Sequence, residues 1–567
     1  MRRSDYAVAL LAVLAIALSL WRLEAGRSGL VFEDVAIGET PARVVRAEGR
    51  DGPMPVVVIA HGFAGSMELM EPFATTLARA GYLTVSFDFV GHGTHPRALP
   101  LVLEDGQPRE AARRLLVQLD RVIDHARSLP RAGEGFALLG HSMATDLIAK
   151  RAADRPGPDA TSAEARATAG APDARGDPSA SDTQGNSSAP DARATVMVSP
   201  FSNEITATSP PNMLAIAGSW EARLTEEAIR TLALTADAVG AGTAGEDETV
   251  GSFGDGTARR VVFASNVEHI GVLYDPESLA AARAWLDAAF GREGADPDGA
   301  AEPDAVVRDL RGPWIGLLFA GMIALARPLS RALPALADPP AGAGASWRAQ
   351  AARSIGPAVL TPVVATWLPS GLMPIVVGDY LAQHFFLYGV FTALGLWLAG
   401  RRGLVALPAR ADLARIAPTL ALAALAVGVW TLAAFALALD RYAFPFVPTA
   451  DRAVLVPLLF AALIPWFLAD EWLTRGVRRP GGKAARVAPY AVTKLVFVLS
   501  LALAVALDAS RLFFLAIVAP VILVFFAVYG LLSQWAMRRT GHPWAAGGGI
   551  ALALAWSIAV SFPLFAT

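Results

Sequence analysis

The chain has no cysteine among its 567 residues. Disulfide stapling and thiolate chemistry are therefore excluded, and an exported domain here must hold together by its core alone. Charge is scarce as well. Asp, Glu, Lys and Arg make up 17% of the chain, against 54% apolar residues. A soluble enzyme of this length carries more charge. The formal net charge is −3 and no basic patch interleaved with aromatics is present, so no nucleic-acid partner is expected. Metal-ligand spacing is missing too: His92 and His95 lie in a short Gly/Pro loop without a carboxylate or cysteine cluster. No metal and no cofactor are expected. The last deficit is local. Residues 154–192 are Ala, Asp, Pro, Gly, Ser and Thr with almost no large apolar side chain. Such a stretch cannot bury enough surface to offset ordering, so a solvated, disordered insertion is expected there. The polar, Gly-rich loop 239–257 is expected to be a segment of the same kind.

What the chain has in abundance is long apolar runs. One, at 6–21, follows Arg2 and Arg3. Eight more of near membrane-crossing length follow residue 312, at about 313–327, 355–378, 381–400, 416–439, 453–469, 489–507, 512–534 and 545–565. The first run is short, like the core of a signal peptide, but Leu20-Trp21-Arg22-Leu23-Glu24 follows it with no clear small-x-small cleavage site. An uncleaved signal anchor over 1–23 is expected, then a folded domain over 24–291, a linker over 292–312 and a membrane domain over 313–567. Loop charge gives these spans a direction. If 24–312 lie outside, the inner loops hold Arg327, Arg331, Arg348 and Arg353; then Arg401, Arg402, Arg410 and Arg415; then Arg475, Arg478, Arg479, Lys483, Arg486 and Lys494; then Arg538 and Arg539. The outer loops hold only Arg441, Arg452 and Arg511, beside Asp379, Asp440, Asp451 and Asp508. This is a positive-inside alternation over nine spans. A bacterial inner membrane is expected from the Arg/Ala-rich composition, with residues 24–291 on the periplasmic side. Prolines 357, 362, 369 and 374 should distort the third span. The remaining polar residues fall near span ends, and no pair of charged residues is expected deep inside consecutive spans.

Between the first run and the others the pattern changes. Residues 56–60 and 83–89 are continuous apolar runs of the buried-strand kind, with a helical stretch near 71–80 between them. An amphipathic helix over 109–128 leads into a third such run, which ends in Gly140-His141-Ser142-Met143-Ala144. A helix-like stretch follows at once. Strand, sharp turn and helix lift a serine hydroxyl clear of a sheet edge, where a histidine can take its proton.

The motifs H-G-F-A-G-S at 61–66, F-D-F-V-G-H-G at 87–93 and G-H-S-M-A at 140–144 resemble the α/β-hydrolase family, over about residues 30–291. The family elbow is G-x-S-x-G; here the last glycine is Ala144, which is still small. The resemblance implies an α/β fold with a doubly wound, mostly parallel sheet, followed in this chain by an all-α multi-span membrane domain. It also implies an order of site residues. Ser142 would be the nucleophile. Glu221, after the strand-like run 212–218, would be the acid, with Asp237 as the alternative. His269, after the run 260–264, would be the base. The backbone amides of Phe63 and Met143 would form the oxyanion hole. His61, His92 and His141 are expected to be structural. A closing helix is expected over 276–290.

The membrane half offers one further stretch. Asp470-Glu471-Trp472-Leu473-Thr474-Arg475-Gly476 and the later Arg539-Thr540-Gly541 resemble, in degenerate form, the CAAX-type intramembrane proteases. Those enzymes complete their site with histidines and an asparagine on later helices. Here the corresponding helices offer Asp508, Ile550 and Leu554, so a water-activating carboxylate has no polarising mate. Two functions follow. The first is a membrane-anchored serine hydrolase cutting an ester, thioester or amide of an acyl-containing small molecule or lipid. The second is a hydrolase-like binding domain fused to a lipid-handling or transport module.

Overall fold

The computed structural model describes residues 3–100, 108–153, 192–292, 309–338, 340–369, 371–475, 484–512 and 514–566. The expected insertion at 154–192, save its last residue, lies outside the described residues. So do most of the 292–312 linker, Arg2, and the basic residues Arg478, Arg479 and Lys483. The chain divides into two compact units, Ala25–Arg311 and Met1–Glu24 with Gly312–Thr567.

In the first unit eight strands form one sheet. They are β1 (Leu30–Ile37), β2 (Thr40–Ala47), β3 (Met54–Ala60), β4 (Leu83–Phe87), β5 (Ala132–His141), β6 (Ala194–Val198), β7 (Met213–Gly218) and β8 (Arg259–Ala264). The spatial order is β1-β2-β4-β3-β5-β6-β7-β8. β1 and β2 form an antiparallel hairpin, β2 runs antiparallel to β4, and every pairing from β4 to β8 is parallel. The central strands read as unbroken apolar runs because helices cover both their faces: Val56, Val57, Val58 and Ile59 of β3 are all fully buried. With α1 reserved for Arg3–Ala25 of the second unit, the helices of the first are α2 (Glu71–Arg79), α3 (Pro108–Ser128), α4 (Met143–Ala153), α5 (Ala222–Val239) and α6 (Pro276–Ala289). Leu279, Ala282 and Leu286 of α6 join Phe73 and Leu77 of α2 in one core against the sheet.

The expectation for 239–257 needs correction. This loop is laid along the outer edge of β8. The Asp247 N–H donates to the Val261 carbonyl at 2.9 Å, and Val250 forms a bridge with Arg259. Composition reads it as free loop, but the edge strand offers unpaired backbone groups that the loop satisfies.

The two ends of the first unit meet at α2. The carboxylate of Glu71, itself 1% exposed, is paired with Arg27, with Arg43 at 3.2 Å and with Arg311 at 3.1 Å. Asp309 accepts from the Thr75 hydroxyl at 2.6 Å and from Arg311 Nε at 2.9 Å. Arg79 donates to the carbonyls of Gly26 and Ser28.

The second unit is helical. After α1 come α7 (Arg311–Leu329), α8 (Trp347–Ala365), α9 (Val376–Arg401), α10 (Arg410–Leu439), α11 (Leu455–Thr474), α12 (Ala484–Leu507), α13 (Phe514–Thr540) and α14 (Trp544–Ser561). Among the described residues, eight helices are long and apolar enough to cross a membrane, against nine expected spans. The difference is α8. Its helix begins eight residues before the expected 355 and ends thirteen before 378, with Arg348, Gln350 and Arg353 in its first turns. Proline explains the early end: a residue preceding Pro369 or Pro374 is pushed out of helical conformation. Pro362, inside α8, has no N–H for the Ala358 carbonyl. The Ser500 hydroxyl of α12 donates to that carbonyl at 2.6 Å and satisfies it. Helix packing relies on small residues: a side chain at Gly428 of α10 would meet the backbone of Gly549 of α14 at 3.1 Å.

Candidate active site

β5 ends at His141, α4 begins at Met143, and Ser142 between them has φ +50°. A left-handed conformation at a non-glycine residue costs about 1–2 kcal/mol. Surrounding contacts hold it. The Ser142 N–H donates to the Val198 carbonyl at 2.9 Å, and the Thr145 hydroxyl donates to the Ser142 carbonyl at 2.6 Å. Tight packing demands small residues here. A Cβ at Gly140 would lie 2.6 Å from Ile148 Cδ1 and 3.2 Å from the Ala144 side chain, so Gly140 is the indispensable one and Ala144 fits beside it. A Cβ at Gly62 would meet His141 Nδ1 at 2.8 Å and Ser142 Cβ at 3.0 Å.

The structure brings Ser142, His269 and Glu221 together. Ser142 Oγ lies 3.0 Å from His269 Nε2, and His269 Nδ1 lies 2.5 Å from Glu221 Oε1. The carboxylate can only accept, so Nδ1 carries the proton and Nε2 is left to accept from the serine hydroxyl. Glu221 Oε2 accepts from Ser199 Oγ at 2.8 Å and from the Gly218 N–H at 2.7 Å. Both carboxylate oxygens are thus held, by three hydrogen bonds, and the side chain is 5% exposed. Asp237 is not brought to the site. It is exposed on α5, about 24 Å along the helix from Glu221 by helical rise. Met143 is the first residue of α4, whose N–H has no intrahelical partner, and Phe63 lies in the loop between β3 and α2.

Three further histidines, His61, His92 and His141, hold this frame. His141 Nε2 donates to the His269 carbonyl at 3.1 Å, which steadies the loop that carries His269. His61 Nδ1 donates to the Gly62 carbonyl at 2.7 Å, while its Nε2 accepts from the Phe89 N–H at 3.0 Å. Burial keeps both imidazoles below their ordinary range, so both are neutral. His92 meets the Phe63 ring edge-on, with centroids 5.7 Å apart. Sequence reasoning missed Ser199, the second anchor of Glu221. It has no motif, and only the approach of β6 to β7 brings it there.

Behind the β3–α2 loop lies a strained pair of acids. Asp88 accepts from the Met67 N–H at 2.8 Å and the Thr94 N–H at 2.7 Å, and Glu68 lies 3.6 Å from Arg43. Burial, with Asp88 beside it, pushes the Glu68 carboxyl up to about 7. A carboxyl whose folded pKa is raised binds its proton more tightly when folded. Its contribution is whole below about 4.5 and is lost as pH rises through about 7. Stability of the detergent-solubilised protein should therefore fall between those values by up to about 3 kcal/mol from this group. Glu68→Gln should flatten that part of the profile, as thermal unfolding at pH 5, 6, 7 and 8 will read. An unchanged profile in the variant assigns the pH dependence elsewhere.

The second unit corrects two expectations. Lys494 is not in an inner loop: it lies about ten residues inside α12, and its ammonium is 2.5 Å from Asp470 Oδ2 of α11. A charged pair is therefore buried between consecutive long helices, with side chains 4% and 8% exposed. Each span carries only one member, so the pairing is invisible in either run alone. Lys494 also sits 4.2 Å from the Tyr490 ring. Glu471 accepts from the Ser533 hydroxyl at 2.6 Å and faces Arg475 at 3.5 Å. Asp508, at the end of α12, accepts instead from Ser510 and Arg511.

No curated protein sequence matches the chain. Among solved structures, a putative dienelactone hydrolase from Klebsiella pneumoniae is 16% identical, with 46% of this chain and 99% of that one covered and a TM-score of 0.29. Esterase B from Lactobacillus rhamnosis is 12% identical, with 53% and 99% covered and a TM-score of 0.30. Est1E from Butyrivibrio proteoclasticus, with ferulic acid bound, is 14% identical, with 46% and 99% covered and a TM-score of 0.27. Residues 51–166 match the family model described as serine aminopeptidase, S33. That match covers β3, the elbow at Ser142 and α4; with the mostly parallel sheet order around it, the Ala25–Arg311 unit has the α/β-hydrolase fold and is a serine hydrolase by type.

Proposed function

We propose that Ala25–Arg311 cleaves an ester, thioester or amide through an acyl-enzyme on Ser142, in a chain anchored in a membrane by its helices. The observation that carries this reading is the relay from Ser142 Oγ to His269 Nε2 at 3.0 Å and from Nδ1 to Glu221 at 2.5 Å. Ser142 Oγ attacks the acyl carbon while its proton passes to His269 Nε2. The tetrahedral oxyanion takes hydrogen bonds from the Met143 and Phe63 amides. Collapse expels the leaving group, which takes the proton from His269. Water then gives a proton to His269, attacks the acyl-enzyme, and frees Ser142 with the acid product. Glu221 holds the imidazole tautomer and stabilises the imidazolium. A purely binding domain gives no reason to keep a serine at φ +50°.

Loop charge supports export of this unit, with the arginine-rich loops of the membrane helices inside, as in a bacterial inner membrane. Anchoring favours substrates held near the bilayer, because it raises their local concentration. The membrane unit is read as an anchor and a degenerate relative of the CAAX-type proteases, its Asp470 and Glu471 engaged by Lys494, Ser533 and Arg475. The test is labelling of the solubilised full chain with a fluorophosphonate, beside Ser142→Ala. Labelling of the wild type that vanishes in the variant is expected; equal labelling of both would refute the assignment. The acid has its own test. Glu221→Gln should lower turnover on the order of 10⁴-fold while Asp237→Asn leaves it within about twofold, and the reverse pattern would move the acid.

A further inference from the structure

Two aromatic side chains of the hydrolase unit stand out in solvent. Phe201 is 63% exposed and Trp220 67%, more than any other large apolar residue described in Ala25–Arg311. Among the described residues neither ring packs on another ring. A single exposed apolar residue needs no explanation, but the placement of these two does. They follow β6 and β7, the two strands next in order after β5, whose end carries Ser142. Both are tied by their backbones to the relay. The Phe201 N–H donates to Thr145 Oγ1 at 3.0 Å, and that hydroxyl donates to the Ser142 carbonyl at 2.6 Å. Trp220 directly precedes Glu221, and its N–H donates to the Val267 carbonyl at 3.2 Å, two residues before His269. The rings are therefore exposed on loops that are held in place. On the other side of β5, the loop after β3 adds Phe63, braced against His92.

The exposed rings of Phe201 and Trp220 offer apolar contacts on the strand-end loops to a hydrocarbon held at Ser142. Two strand spacings, about 10 Å, separate β5 from β7, which gives the row room for an extended chain.

We infer that Phe201 and Trp220 form an apolar rail beside Ser142 that selects substrates by the hydrocarbon of the acyl group, favouring medium-chain or aromatic acyl groups over acetyl. This rests on the hydrolase reading above. Rings that desolvate the chain as the serine reacts lower the barrier by the transfer energy of the methylenes they cover, so the preference appears in the rate of acylation.

Alkyl fluorophosphonates test this without knowledge of the leaving group: Ser142 Oγ displaces fluoride from phosphorus, and the rate of phosphonylation reports how well the alkyl group is received where the acyl chain would lie. Ethyl and octyl probes are compared on the solubilised full chain, on Phe201→Ser, Trp220→Ser and the double variant, and on Trp220→Phe. Burying two of the six added methylenes is enough for the octyl probe to label the wild type on the order of tenfold faster. In the double variant that ratio should fall below about threefold, with the ethyl rate within about twofold of wild type, and Trp220→Phe should retain most of the preference. A wild type without preference overturns the inference, as does a preference that survives in the double variant. If ethyl and octyl rates fall together, the two residues only support their loops and the inference is lost. No labelling of the wild type by either probe is a different failure: it removes the hydrolase reading itself, and this inference with it.

Discussion

His269→Ala lowers turnover on the order of 10⁶-fold, and adding Ser142→Ala to it lowers turnover no further. The two side chains act as one device. Without the imidazole, Ser142 Oγ keeps its proton and is a poor nucleophile at neutral pH; without the hydroxyl, His269 has nothing to deprotonate. Removing either therefore removes the same step. The residual rate belongs to binding and to the amides of Met143 and Phe63, which neither substitution touches. The comparison is made by hydrolysis rates of the three variants on whichever acyl substrate the wild type turns over. Additive losses, with the double variant falling by the product of the single ones, would mean that Ser142 and His269 serve separate steps. The 3.0 Å contact between them would then have another explanation.

Lys494→Met destabilises the helical unit by about 3–5 kcal/mol, and Lys494→Met with Asp470→Leu recovers most of the loss. The asymmetry follows from burial. Asp470 has 8% of its side chain exposed, and its carboxylate is matched by the Lys494 ammonium at 2.5 Å, with the Tyr529 hydroxyl at 3.4 Å as a weaker neighbour. Taking the cation away leaves a buried carboxylate without its hydrogen-bonded counterion. Taking both away leaves an apolar seam among Trp466, Phe497 and Phe526, rings that already pack there. Thermal unfolding in detergent, followed by tryptophan fluorescence, measures both variants. A double variant as unstable as the single one would show that the pair contributes through geometry that apolar side chains cannot replace.

How much of this was legible depended on how local the signal is. The elbow is written in five consecutive residues, and the strands that flank it are unbroken apolar runs, so Ser142 and the parallel half of the sheet stand out. Glu221 and His269 stand out once a strand is recognised before each. The β1–β2 hairpin does not. It lies at the sheet edge, half exposed, and Glu33, Asp34, Arg43 and Arg46 interrupt the alternation that would mark it. Ser199 is hidden because its partner lies beyond the next strand, 22 residues away. Lys494 was assigned to a loop because a charge near the end of an apolar run is ordinarily a charge outside it. Only the arrival of Asp470 from the preceding helix makes its burial tolerable. α8 was misplaced because hydropathy does not register that Pro369 and Pro374 stop a helix, nor that Ser500 lets Pro362 remain within one.

The pairing of Arg27 and Arg311 on one carboxylate, that of Glu71, means that the hydrolase unit starts and finishes at the same spot. Such a module behaves as a parenthesis in the chain. It can be inserted into a chain or removed from one without stretching what flanks it, because its ends are already apposed. A short turn joining α1 to α7 would replace it, and its loss would leave the succession of long apolar helices in order. Grafted between two helices of an unrelated membrane protein, the segment 25–311 would bring its own clasp with it. Glu71→Gln takes away the partner that the two ends share and leaves Asp309 on Thr75 and Arg79 on Gly26 to hold them singly.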